Sequence, residues 1–291
     1  MSEPICYHDG QLLPAHAVRI SPFDRGLTLG DGLFETIRVY GGRPFQLAAH
    51  LARLQAGAAV IGMTLPADLG AAAAAVLAAN GWTAAVLRLT VTRGVAPPAR
   101  GGLLLEPLPP PTVLITGRSL AGTPPYPDHF YTRGLGLVTA GPPRNEHSPL
   151  SRCKTLNYLD QILIRQAAAR AGGDEALQSN TTGAVVGASV ANLFVVQAGT
   201  LLTPDLASGC LPGITRALVL ALAGTLGLPA QEVRLDRATV AASTEAFLTN
   251  TLLAVAPVAS VDGIHLPASP GPLTRRIASA FQDLTGGSPG S

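Results

Sequence analysis

Apolar and polar residues alternate in several short segments of the first half of the chain, which is typical of strands with one buried face. In one of them, Leu87, Leu89 and Val91 alternate with Arg88, Thr90 and Thr92. Asp9-Gly10 and Gly41-Gly42 supply hairpin turns. The predicted strands are a hairpin at 5–13, a pair at 33–40 and 43–46, and strands at 86–93 and 112–116.

The period changes to that of a helix from Ala48. Leu51, Leu54, Ala58 and Ile61 recur on one helical face, and Arg53 lies off that stripe. A second helix is predicted over 68–79, because Asn80-Gly81 is a common helix end. Two helices therefore accompany the first strands.

The second half alternates strands with helices in the same way. Lys154 is predicted to lie where a polar loop joins a helix. Strands are predicted at 135–139, 175–178, 184–186, 192–196, 231–235 and 246–249, and helices at 157–171, from Gly213 to about 226, and near 273–284.

A stretch rich in proline and glycine interrupts the chain at 118–128 and is the best candidate for a domain linker. We expect an N-terminal α/β domain over 1–118, a linker at 119–128, a larger domain over 129–285 and a flexible tail at 286–291. The fold class predicted is α/β (α+β).

Composition excludes several classes of function. The net charge of +2 is spread without runs, so no basic surface for nucleic acid or anionic lipid is expected. No apolar run reaches the roughly 20 residues of a membrane helix, and we expect a soluble, cytoplasmic protein. Cys6, Cys153 and Cys210 are widely spaced and match no zinc site, which indicates reduced thiols and no metal.

Lys154 is the sole lysine among 20 basic residues. Arginine serves as a surface cation but cannot form an imine at neutral pH. A single lysine in a chain that otherwise uses arginine therefore indicates amine chemistry, although it also fits a surface residue left by a composition biased toward arginine.

Gly213-Ile214-Thr215 opens an apolar helix. The first amides of a helix lack intrahelical partners and lie at its positive end, so they can bind an anion. An ordinary capped helix explains this triplet equally well by itself. A lysine together with a phosphate-binding helix start suggests a phosphorylated aldehyde held as an imine, pyridoxal 5′-phosphate (PLP).

Seven segments in a fixed order carry a family resemblance over residues 5 to about 265. With them the chain resembles the class IV aminotransferases, the fold-type IV PLP enzymes. The segments are Asp24-Arg25-Gly26, Gly30-Asp31-Gly32-Leu33-Phe34-Glu35-Thr36-Ile37-Arg38, His50-Leu51-Ala52-Arg53-Leu54, Lys154-Thr155-Leu156-Asn157-Tyr158-Leu159, Asn192-Leu193-Phe194, Leu211-Pro212-Gly213-Ile214-Thr215-Arg216 and Phe247-Leu248-Thr249-Asn250-Thr251.

The resemblance implies a role for each matching residue. Lys154 would form the imine and shuttle protons, and Tyr158 would donate to the phenolic oxygen of PLP. Phosphate would be bound by Arg53, by Ile214 and Thr215 beside Gly213, and by Thr251. A homodimer with a small amine as substrate, and a fold with a small N-terminal domain and a larger domain of β-barrel character, are implied as well.

One position departs from the family pattern. A glutamate that keeps the pyridine nitrogen protonated is usual where this chain has Gly187. Its absence predicts weaker stabilisation of carbanions, or another group in its place.

Within the family, the segments around Asn192 and Asn250 and the run 89–101 favour 4-amino-4-deoxychorismate lyase, an enzyme of folate biosynthesis that forms 4-aminobenzoate and pyruvate. Arg100 is the first candidate for binding a substrate carboxylate. Arg38, Asn250, Arg88 and Arg93 are further candidates for substrate binding. The alternatives are a branched-chain or D-amino-acid aminotransferase, a PLP-binding protein with weak or no catalysis, and a binding protein without cofactor.

Overall fold

The computed structural model describes residues 3–96, 102–104 and 107–286. Its backbone separates into two compact units, Met1–Gly122 with Cys153–Asn157, and Thr123–Arg152 with Tyr158–Ser291. We call them unit 1 and unit 2. Arg100 and the segment 287–291 lie outside the described residues, so the substrate role predicted for Arg100 has no structural counterpart here.

Unit 1 combines a mixed set of short and long strands with helices that cover one face. Its strands are Ile5–His8 (β1), Gln11–Pro14 (β2), Gly32–Tyr40 (β3), Arg43–Pro44 (β4), Ala85–Thr92 (β5) and Thr112–Ser119 (β6), and its helices are Arg25–Leu29 (α1), Leu47–Val60 (α2) and Leu69–Asn80 (α3). The strand order is β2-β1-β6-β5-β3-β4, with antiparallel neighbours.

The predicted elements of unit 1 are confirmed to within a few residues. The β1–β2 hairpin turns at Asp9-Gly10, where both residues have positive φ. Helix α3 ends at Gly81, whose φ of 62° gives the left-handed C-terminal conformation that glycine adopts without strain. The core joins one face of β3 and β5 to α2 and α3 through Ile37, Leu87 and other buried apolar residues.

Unit 2 holds a longer sheet. Its strands are Leu135–Thr139 (β7), Glu175–Ser179 (β8), Val185–Ala188 (β9), Asn192–Gln197 (β10), Thr200–Pro204 (β11), Ala230–Val233 (β12), Glu245–Asn250 (β13), Ala254–Val261 (β14) and Ile264–His265 (β15). Its helices are His129–Thr132 (α4), Leu159–Arg170 (α5), Ile214–Thr225 (α6), Arg237–Ala241 (α7) and Pro272–Thr285 (α8).

The sheet of unit 2 curls back on itself. Its order is β12-β11-β10-β13-β14-β7-β8-β9, and β15 pairs with β14. Val185 in the last strand donates a backbone hydrogen bond to Leu235, just after the first strand, at 2.8 Å. This bridge joins the two ends of the sheet, so the predicted β-barrel character and the α+β fold class are confirmed.

No helix within the described ranges combines the length and apolar character needed to cross a bilayer.

Candidate functional site

Lys154 belongs to unit 1, although its neighbours in sequence on both sides belong to unit 2. The segment around it runs beside β3: the Phe34 amide donates to the Lys154 carbonyl at 2.9 Å, and the Leu156 amide donates to the Gly32 carbonyl at 3.0 Å. Two backbone hydrogen bonds thus fix Lys154 against the strand, which sequence reasoning did not anticipate.

The Lys154 side chain is half-buried and contacts an aromatic ring. Its Nζ lies 4.2 Å from the centre of the Phe34 ring, and the Arg88 Cζ lies 3.7 Å from the same centre. A cation over an aromatic face is attracted by the ring quadrupole. The lysine amine and a guanidinium therefore converge on Phe34.

Arg53 is not a solvated surface residue, which removes the alternative left open by its position on the helix. Its side chain is 10% exposed. Its Nε donates to Glu35 Oε1 at 2.8 Å and its Nη2 to Glu35 Oε2 at 2.6 Å. This fork fixes the guanidinium, and the helix of the predicted stripe turns Arg53 toward the strand rather than away from it.

Glu35 is fully buried between Arg53 and His50, whose Nδ1 lies 2.7 Å from Glu35 Oε2. Burial by itself raises the pKa of the Glu35 carboxyl, but hydrogen bonds and charge from Arg53 and His50 outweigh it and hold that pKa below its usual range. Sequence reasoning did not assign Glu35 a role, although its place between the core residues Leu33 and Ile37 marks it as a buried carboxylate.

The remaining arginine candidates differ in their surroundings. Arg93 donates to Asp31, Ile61 and Gly62, so its guanidinium supports the local fold. Arg38 is buried beside Tyr40, with its Cζ 5.0 Å from the ring centre. Arg88 is exposed. Among these three, the geometry leaves Arg88 best placed to meet a substrate.

The predicted phosphate-binding helix start is present in unit 2. Gly213 precedes α6 with an extended backbone, and Thr215 in the first turn is buried. A Cβ at Gly213 would lie 2.0 Å from Asn192 Oδ1, and Asn192 Nδ2 donates to the Leu211 carbonyl at 2.9 Å. Glycine is thus required here by close packing, and Asn192 shapes the segment that leads into the helix.

Unpaired polar groups at this place fit an anion. Thr249 lies directly opposite Asn192 on β13 and is fully buried, and its Oγ1 lacks a hydrogen-bond partner in the described part of the chain. Buried hydroxyls rarely lack partners. Together with the amides of the α6 start, this hydroxyl provides the donors that the phosphate of PLP needs.

The turn after β13 carries Asn250 and Thr251. Asn250 Oδ1 accepts hydrogen bonds from the Leu252 and Leu253 amides at 2.9 and 2.7 Å, and its Nδ2 donates to the Val190 carbonyl at 3.3 Å. The side chain of Asn250 therefore holds this turn, and Thr251 is half-buried within it.

Tyr158 immediately precedes α5, and the charge of Arg144 interacts with it. Burial lowers the pKa of the Arg144 guanidinium, while the acidic groups of Tyr158, Cys210 and Asp160 oppose that change. Arg144 also donates from its backbone amide to the Ser179 carbonyl at 2.9 Å and from its side chain to the Ser151 carbonyl. It was not predicted as a site residue.

Cys153 next to the lysine is buried, and burial raises the pKa of its thiol. A thiol that stays protonated is a poor nucleophile. Cysteine chemistry therefore gains no support from its position.

Known proteins share both the sequence pattern and the fold of this chain. The profile of the class IV aminotransferases matches residues 32–261. A putative branched-chain-amino-acid aminotransferase of Methanocaldococcus jannaschii is 32% identical over 285 residues, covering 96% of this chain and 95% of that protein.

Two solved structures are similar over nearly the whole chain. The structure of 4-amino-4-deoxychorismate lyase from Pseudomonas aeruginosa is 33% identical with a TM-score of 0.85 and covers 96% of this chain and 98% of its own. The branched-chain amino acid aminotransferase of T.th., solved with pyridoxamine 5′-phosphate, is 27% identical with a TM-score of 0.90, covering 98% and 95%. Sequence and fold agree: the chain belongs to the class IV aminotransferase family of PLP-dependent enzymes.

Proposed function

We propose that this protein is a PLP-dependent lyase that converts 4-amino-4-deoxychorismate to 4-aminobenzoate and pyruvate. Bound PLP supplies an aldehyde that captures the substrate amine and a ring that withdraws electrons. The observation that carries the proposal is the pair of Lys154 and Arg88 on the Phe34 ring, because it places an amine and a cation for an anionic substrate at one point.

Holding the cofactor falls to residues from the sequence prediction. Lys154 is the lysine to which PLP attaches, and Tyr158 donates to its phenolic oxygen. Arg53, fixed by Glu35, and the amides of Ile214 and Thr215 beside Gly213 bind the phosphate with Thr251. Thr249 is a further candidate donor because its buried hydroxyl is unpaired in the described residues.

In the lyase reaction, Lys154 takes the proton from the ring carbon that bears the amino group. The carbon–oxygen bond to the enolpyruvyl group then breaks, and the departing fragment receives a proton from Lys154 to become pyruvate. Arg88 binds a substrate carboxylate, and Arg100, Arg38 and Asn250 remain candidates for the same task. Because the ring becomes aromatic, the elimination has its own driving force and tolerates the missing carboxylate at Gly187.

An aminotransferase is the second candidate, and the relatives named above support it. Here Lys154 would move a proton between the α-carbon of an amino acid and the cofactor, and a keto acid would leave. This reaction has no aromatisation to drive it, so the absence of a carboxylate at Gly187 weighs more heavily against it. Cofactor binding with weak or no turnover is the third possibility.

The decisive assay supplies the holoenzyme with 4-amino-4-deoxychorismate and no amino acceptor. Release of pyruvate, followed with lactate dehydrogenase, together with the fluorescence of 4-aminobenzoate supports the lyase. Turnover of branched-chain or D-amino acids only when a 2-oxo acid is added supports the aminotransferase instead. Turnover of neither, with PLP bound, contradicts both.

The role of Lys154 is tested separately by borohydride reduction and peptide mapping. We expect a pyridoxyl group on Lys154 in the wild type and none in Lys154→Arg, which keeps the charge. Arg152→Lys, which adds an exposed lysine two residues away, is the matched control and should leave the label on Lys154.

A further inference from the structure

Gln178 on β8 lies directly opposite Gly187 on β9. The register runs from Leu177 opposite Ala188 to Gln178 opposite Gly187, and then shifts so that Ser179 is opposite Val185. One residue of β9 is therefore bulged, and bulges commonly redirect side chains beside active sites. Directly opposed residues present their side chains on the same face, so the Gln178 amide stands where a side chain at 187 would project.

Gly187 itself cannot readily carry that side chain. Its φ of 134° belongs to a region that L-residues rarely adopt, and a Cβ there would lie 2.8 Å from the Ala191 carbonyl oxygen. That oxygen accepts a hydrogen bond from the Ala188 amide at 2.8 Å. The turn is thus fixed, and the backbone has been shaped for glycine.

Gln178 is a polar residue in an apolar setting. It is 5% exposed, next to the fully buried Leu177. In the described residues its side chain makes one hydrogen bond, from Nε2 to the Pro142 carbonyl at 3.4 Å, which is long for such a bond. A buried amide with unmet hydrogen bonds is costly, and its retention here points to a ligand.

We propose that the Gln178 carboxamide donates a hydrogen bond to the pyridine nitrogen of PLP, replacing the carboxylate that position 187 lacks. This rests on the proposed PLP site, in which position 187 faces that nitrogen. A carboxylate stabilises a protonated nitrogen, whereas a neutral amide N–H pairs with the unprotonated form. The nitrogen of the bound cofactor is therefore unprotonated, and the ring withdraws electrons more weakly.

The test is ¹⁵N NMR of the holoenzyme reconstituted with PLP labelled at the pyridine nitrogen. The wild type is expected to give the downfield resonance of an unprotonated nitrogen. Gln178→Glu, which keeps the size of the side chain, should shift it upfield into the protonated range. Gln231→Glu, at an exposed position on β12, makes the same change of charge and should leave the resonance in place.

The outcomes separate this inference from the proposed function. A protonated nitrogen in the wild type overturns the role of Gln178 even if Gln178→Glu fails to fold. A resonance that Gln178→Glu and Gln178→Leu both leave unchanged in folded holoenzyme also overturns it. Failure of the wild type to take up PLP overturns the proposed function, and this inference with it.

Discussion

The Nζ of Lys154 lies 4.2 Å from the centre of the Phe34 ring, although the two residues are far apart in sequence. Backbone hydrogen bonds between residues 32–34 and 154–156 create this contact. The same ring carries the Arg88 guanidinium at 3.7 Å. Phe34 is therefore the surface on which the reactive amine and the candidate substrate cation are both positioned.

Replacing Phe34 should impair catalysis more than folding. In Phe34→Leu an apolar side chain remains, but the cation–π attraction of about 0.5–2 kcal/mol is lost, and we expect kcat/KM to fall roughly 2- to 30-fold. Phe34→Tyr keeps the ring and should stay close to the wild type. Equal losses in the two variants would show that the aromatic face has no such role.

Removing the buried carboxylate should destabilise unit 1. In Glu35→Gln, Arg53 and His50 lose their anionic partner, and breaking a buried ion pair costs about 3–5 kcal/mol. The free energy of unfolding from urea titration at pH 7 measures this loss. Glu3→Gln, whose wild-type side chain is 42% exposed, is the control and should change stability little.

The same pair predicts how stability depends on pH. The pKa of Glu35 is lower in the folded protein than its usual value of about 4.3. Its stabilising contribution is therefore complete above that value and is lost as the pH falls through the folded pKa. The stability gap between the wild type and Glu35→Gln should be constant at pH 6–8 and narrow in acid. A gap that widens as the pH falls would contradict this assignment.

Local patterns predicted most elements because each depends on residues close in sequence. The hairpin at Asp9-Gly10 and the helix end at Gly81 follow from turn chemistry, and the start of α6 follows from Gly213. Two strands were missed. Strand β14 is a nearly continuous apolar run that contains Pro257, so it has no alternation to detect, and β11 is short and ends in Pro204.

The site was predicted through its chemistry rather than its geometry. Lys154 and the α6 start could be recognised because each residue type has few alternative uses. The pairing of Glu35 with Arg53, the contact of Lys154 with Phe34 and the opposition of Gln178 to Gly187 depend on strands brought together over long stretches of chain. Such contacts depend on the register of the sheet, which short-range periodicity does not determine.

Gly213→Ala should weaken cofactor binding through Asn192. The added Cβ would lie 2.0 Å from Asn192 Oδ1 and 3.2 Å from the Cβ of Arg216, so the amide must move and its bond to the Leu211 carbonyl is strained. A loss of about 1.4 kcal/mol corresponds to tenfold weaker binding, and we expect at least that in the Kd for PLP, measured by absorption titration.

Gly224→Ala is the matched control for this prediction. It lies in the same helix, and a Cβ there would meet nothing within 4 Å. Alanine is favoured over glycine inside a helix by about 0.5–1 kcal/mol, so this variant should bind PLP normally and unfold at slightly higher urea. If Gly213→Ala also binds PLP normally, the segment before α6 does not shape the phosphate site. If both variants bind weakly, the effect comes from helix α6 as a whole rather than from the contact between Gly213 and Asn192.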